Sequence, residues 1–128
     1  MTMDDKRKLI HELFEFYIEE MYLKKWTIDI KYIYMDDANM VCYPLFEYLS
    51  ASIRVCNEYL EGAEPDNIAK TLLHEMCHVS LSSINVLLDN KEPTKVLLER
   101  ATQEMTMCLQ KAYLIQTCKI IEKYIPAE

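Results

Sequence analysis

The sequence predicts an α+β fold, and three observations carry that expectation. Apolar residues recur at three- and four-residue steps from Met3 to Lys24, alternate with polar ones from Trp26 to Tyr34 and again from Ser52 to Cys56, and return to the helical period from about Asp66. A chain of 128 residues fits one domain, 1–128, with a real core, because about two thirds of the unfolded surface is buried at this size.

The first helix is expected over Met3 to Lys24, with Leu9, Ile10, Leu13, Phe14, Tyr17, Ile18, Met21 and Tyr22 on one face and Asp4 and Asp5 complementing its N-terminus. His11 reads as a partly exposed polar residue on it. Trp26 to Tyr34 then alternates as a half-buried strand. The turn residues Met35 to Asn39 follow, and Met40 to Tyr43 reads as a second strand stopped by Pro44. Residues 44–51 stay unassigned, and Ser52 to Cys56 is the last strand of a small mixed sheet.

Glu64-Pro65-Asp66 reads as a helix start, with proline near the first helical position. From there to Ile84 or beyond, Ala69, Leu72, Leu73, Met76, Cys77, Val79, Leu81 and Ile84 share one broad apolar arc, so Cys77 belongs to the core. Thr71, His74, Glu75 and His78 fall on the remaining arc. After a connection through Asp89 to Pro93, Thr94 is expected to cap a last helix with an apolar stripe of Leu97, Ala101, Met105, Cys108, Ala112 and Ile115, ending before Pro126. About 30 unbroken residues would span about 45 Å, so a bend or break is expected. A second stripe, Glu99, Thr102, Gln103, Thr106 and Gln110, is polar and mostly uncharged, and is the candidate to face a metal.

Composition removes several classes of function. A net charge of −7 argues against general nucleic-acid binding, which needs a basic surface to neutralise phosphates. No stretch approaches the ~20 apolar residues of a membrane span, and the charged start Asp4-Asp5-Lys6-Arg7-Lys8 is not a signal peptide. Cys42, Cys56, Cys77, Cys108 and Cys118 form an odd set without a CxxC pair, which suits reduced, partly buried thiols and a cytoplasmic location.

The chemistry concentrates in Thr71-Leu72-Leu73-His74-Glu75-Met76-Cys77-His78, which contains HExxH. Chance supplies only about 0.01 such matches in a chain of this composition. On a helix, His74 and His78 lie one turn apart with Cβ atoms roughly 5–6 Å from each other, a spacing that lets both bind one Zn²⁺. Glu75 cannot join them comfortably from the adjacent position, but it can act as general base toward a water activated by that metal.

Catalytic zinc usually takes three protein ligands. The extended pattern with a third histidine fails here, since Ile84 stands at that position and Leu81 where glycine is needed. A carboxylate from the next helix would give a His₂Glu set, with Glu99 preferred and Glu104 and Glu92 as alternatives. Gln103 is a candidate to orient a ligating histidine, alongside a plain packing or surface role. An oxyanion stabiliser is also expected, with no basis for choosing among Tyr43, Tyr48, Tyr59 and Tyr113.

The order of an N-terminal helix, Trp26-Thr27-Ile28, Ser52-Ile53-Arg54-Val55, the HExxH stretch and a later Glu-bearing helix resembles small gluzincin-type zinc metallopeptidases. It looks most like the SprT-like proteins and the minimal metallopeptidase domains often carried by phages. The resemblance implies a zincin-like fold, with His74, His78 and Glu99 matching the metal ligands, Glu75 the catalytic glutamate, and a peptide or protein as substrate. A C-terminal zinc ribbon and a basic surface, frequent in SprT-like proteins, are missing from this sequence. The expected function is that of a zinc-dependent endopeptidase, and the alternative is a catalytically silent zinc-binding regulatory or interaction protein. The strand at 52–56, as a sheet edge, is a candidate to bind extended peptide by strand addition.

Overall fold

The computed structural model describes residues 1–87 and 92–125, without the side chains of 85–87 and 92. These residues form five α-helices, one short 3-10 turn and a three-stranded mixed sheet, so the α+β class holds. Helix α1 (Met3–Glu20) starts where Thr2 and Asp5 cap each other: Thr2 Oγ1 accepts from the Asp5 N–H at 3.1 Å, and Asp5 Oδ2 accepts from the Thr2 N–H at 3.2 Å. It ends before the expected Lys24. Tyr22 turns left-handed at φ 58°, its N–H reaching Glu19 O while the Leu23 N–H bonds Ile18 O at 3.0 Å. This closes the free carbonyls of the last turn and returns Leu23 to the core.

Strands β1 (Thr27–Ile33), β2 (Met40–Leu45) and β3 (Ser50–Cys56) lie in the order β1-β3-β2, with β3 parallel to β1 and antiparallel to β2. Thr27, Asp29 and Lys31 are exposed while Ile28 and Ile30 are half-buried, as alternation requires. Two expectations change here. Pro44 does not stop β2 but pairs opposite Ala51, which an edge strand tolerates because one of its sides makes no ladder. The run 52–56, expected as an edge, belongs to the central strand, because the unassigned residues before it make a 3-10 turn at Phe46–Tyr48 and extend β3 back to Ser50.

Helix α2 (Asn57–Gly62) is held at its end by Lys6, a buried lysine whose Nζ donates to Leu60 O at 2.8 Å and Glu61 O at 2.7 Å. Helix α3 (Pro65–Leu87) follows, with proline at its first position, where no intrahelical N–H is needed. Its Ile68, Ala69, Leu72, Leu73, Met76, Cys77 and Val79 are buried with Leu9, Ile10, Leu13 and Tyr17 of α1 and Ala51, Ile53 and Val55 of β3. Ile84, expected on that arc, is 45% exposed because it lies about two turns beyond Cys77, where the core has ended.

Helix α4 (Glu92–Ala112) begins before Thr94, which therefore lies within its first turns and does not cap it. Asp89 to Lys91 of the expected connection, and Pro126, lie outside the described residues. The expected break falls at Tyr113, whose ring packs edge-on against Phe16 at 5.4 Å, and α5 (Leu114–Glu122) continues beyond it. Glu12 on α1 accepts from Lys123 Nζ at 2.7 Å and Tyr124 Oη at 2.8 Å, which fastens the end of α5.

The apolar stripe expected to bury α4 is largely exposed: Leu97 and Ile115 are 64% and 68% exposed, Ala101, Cys108 and Ala112 are exposed, and only Met105 is half-buried. The inward side holds Leu98, Thr102, Met105, Thr106 and Leu109 instead. Burying the two threonines costs little, because their hydroxyls donate to their own helix, Thr102 to Leu98 O at 2.9 Å and Thr106 to Thr102 O at 2.7 Å. Among the described residues, no helix is long and apolar enough to cross a membrane.

Candidate metal centre

Helix α3 carries the motif on the side turned toward α4. The His74 and His78 rings are 4.8 Å apart and nearly perpendicular, and the ligand atoms of His74, Glu75 and His78 lie within 4.8 Å of one another. Glu99 on α4 reaches over from the facing helix, its Oε1 3.2 Å from His74 Nε2 and its Oε2 3.5 Å from His78 Nε2. Zinc bonds of 2.0–2.1 Å give a tetrahedron with edges of about 3.3 Å. Each Glu99 oxygen therefore lies about one such edge from one histidine nitrogen, a spacing compatible with a shared metal ion.

Glu75 also stands near the two histidines, but it has other neighbours. It is only 8% exposed and lies beside β2, where the Cys42 main chain favours its charged form. Glu75, expected not to join the histidines comfortably from its adjacent position, has its ligand atom within 4.8 Å of theirs, so this His-Glu-His group could hold a metal ion, while the two Glu99 oxygens each face one histidine nitrogen. Glu104 is exposed and sits about 140° around α4 from Glu99, while the side chain of Glu92 lies outside the described residues.

Electrostatics separates the two acids further. Burial pushes the Glu75 carboxyl up to about 7, the Glu99 charge adds to the rise, and the Cys42 N–H pulls against it. A dication beside it would draw it down again. Burial lowers the pKa of His78, against the pull of Glu99 and helped by His74, which favours the neutral imidazole that binds metals. The Cys42 thiol is pushed up to about 12 by burial and by the Glu75 charge, so it is a poor ligand or nucleophile.

Two cavities flank the histidines. One, of about 450 Å³, is bounded by Met40, Val41, Cys42 and Pro44 of β2, by Glu75, Leu81 and Ser82 of α3 and by Leu98 of α4. The other, of about 480 Å³, runs past Asn67, Lys70 and Thr71 to Gln103, Thr106 and Met107, and both share His74 and Glu99. The edge strand beside the site is thus β2, in place of the expected 52–56.

The remaining candidates disperse. His11 is exposed and stacks edge-on to Tyr32 at 6.2 Å, and Cys77 is fully buried. All five cysteines are free, but Cys108 and Cys118 are exposed, contrary to the expectation of partly buried thiols. Gln103 is exposed at the second cavity. Tyr43 lies under Arg54 at 4.6 Å, Tyr48 is 78% exposed, Tyr113 packs on Phe16, and the Tyr59 hydroxyl is bonded to Asn67 and Thr71. Sequence reasoning missed the Cys42 main chain, which leaves no side-chain signal, and named Thr106 only as one position of the polar stripe expected to face a metal. No protein family, curated protein or solved structure matches this chain.

Proposed function

We propose that the chain is a zinc-dependent endopeptidase with a zincin-like core, in which His74, His78 and Glu99 hold the metal and Glu75 is the general base. One observation carries the reading: a carboxylate from α4 lies 3.2 Å and 3.5 Å from the two histidine nitrogens of an HExxH helix, in a cleft that is open on both sides. Zinc bound there would supply Lewis-acid polarisation of a peptide carbonyl and of an attacking water. Glu75 takes the water proton and returns it to the leaving amine, a task for which its place beside both histidines suits it. Pairing of an extended peptide with β2 would hold it along the cleft, over Met40 to Tyr43, since Pro44 has no N–H to offer.

The test measures zinc content and peptide hydrolysis together, for the parent and for Glu75→Gln. The variant keeps the size and hydrogen bonding of the side chain but removes the base. It should hold about one zinc per chain and lose about 10² or more in rate. Parental rates in that variant would end the mechanism, and a parent that takes up no zinc would end the reading as a whole.

A further inference from the structure

We infer that Thr106 is a positioning residue for the metal centre, fixing His74 so that its Nε2, and not its Nδ1, faces the metal. The inference rests on the zinc reading above and concerns what holds a ligand in place. Thr106 Oγ1 lies 3.4 Å from His74 Nδ1. A hydroxyl has a single proton, and that of Thr106 goes to the Thr102 carbonyl at 2.7 Å, the shorter contact with the stronger acceptor. Only lone pairs then remain for the imidazole. Thr106 can accept from an Nδ1–H but cannot donate to a bare Nδ1, so the contact selects one orientation and one tautomer.

With a metal between the helices, that tautomer would turn the Nε2 lone pair to the same ion as Glu99 Oε1, which lies 3.2 Å from Nε2. Ligating histidines usually fix their second nitrogen in this way, on a carboxylate, a carbonyl or a water. Here a threonine on the facing helix serves, and it is 2% exposed, so water has little access to replace it. The buried Cys77 thiol also reaches the Thr106 side chain, but sulfur is a weak competitor for the hydroxyl proton. Thr106 and Glu99 lie seven residues apart, about two turns, on one face of α4. One helix thus supplies both a ligand and the support for a ligand on its neighbour.

The experiment compares zinc affinity, by chelator competition, in the parent, Thr106→Val and Thr106→Ser. Valine keeps the volume and removes the acceptor, while serine keeps the acceptor and removes a methyl. Thr106→Val should lose 10–100-fold in affinity and Thr106→Ser should stay within a few-fold of the parent. In the zinc-loaded parent and serine variant, the His74 Nδ1–H proton should give a slowly exchanging NMR signal that the valine variant lacks. Equal affinity in Thr106→Val and the parent overturns the proposal and leaves Thr106 a packing residue. If Thr106→Val does not fold, loss of affinity or of the protected proton in the folded Thr106→Ser overturns it just as directly. A parent that binds no zinc removes this proposal together with the zinc reading, and is told apart by the parental measurement itself.

Discussion

Helices α3 and α4 meet at the same centre but are built on opposite plans. Helix α3 buries Leu72, Met76 and Val79 completely and presents His74 and His78 from its remaining side, so its ligands ride on the core. Helix α4 turns Thr102, Thr106 and Glu99 toward α3 and leaves Val96, Leu97 and Met107 more than half exposed. The difference teaches that the site divides into a rigid half, held by full apolar burial, and a docked half, held by the partly buried Met105 and Leu109 and by the contacts of Glu99 and Thr106 with the histidines.

The largest effect should come from cutting the rigid half. Met76→Ala removes a fully buried side chain and should cost about 2–5 kcal/mol in urea unfolding, while Leu97→Ala on α4 should stay within about 0.5 kcal/mol. Equal costs would erase the distinction between the helices. Next comes the buried acid. The folded pKa of Glu75 is raised from 4.5 to about 7, so the folded state keeps a proton that the unfolded chain releases, and stability falls as pH rises across that window. The cost, at most about 3 kcal/mol, is complete above it. Zinc-stripped Glu75→Gln should therefore unfold at higher urea than the zinc-stripped parent at pH 8, and the two should converge toward pH 4.5. A variant no more stable than the parent at pH 8 would mean that α3 bears no such cost.

The smallest change in the zinc-stripped protein should come from the docked half. Glu99 is half exposed, so Glu99→Ala should barely alter urea unfolding without metal. Added zinc should raise the melting temperature of the parent and much less that of Glu99→Ala. The same comparison with Glu104→Ala, which should behave as the parent, checks the ligand assignment. If Glu104→Ala is the variant that loses the zinc response, the docked half has been read in the wrong register.

What could be read from the chain follows the same division. The alternation around Ile28 and Ile30 and the arc through Leu72 and Met76 were legible, because burial in a core imposes a period on the sequence. The place of Glu99 against the histidines was legible through chemistry, since two histidines on one turn prompted the search for a further donor on the next helix. The face of α4 was half legible: Glu99, Thr102 and Thr106 of its polar stripe do turn toward α3, where threonine hydroxyls bonded to their own helix are inexpensive to bury, while of the apolar stripe only Met105 packs on the core. Pro44 was misjudged because a proline does not announce that its strand lies at an edge, and β3 was taken for an edge because pairing order is a property of the assembled sheet.

The junction between α1 and α2 has a consequence in chemical reactivity. The Lys6 amine is buried and donates to two carbonyls at the end of α2, so an acylating reagent cannot reach it while that junction holds. Lys8 and Lys24, with side chains well over half exposed, carry no such protection. Under mild amine labelling Lys6 should be the laggard of the three, and the time at which it begins to react records the parting of α1 from α2 without any probe having to be introduced.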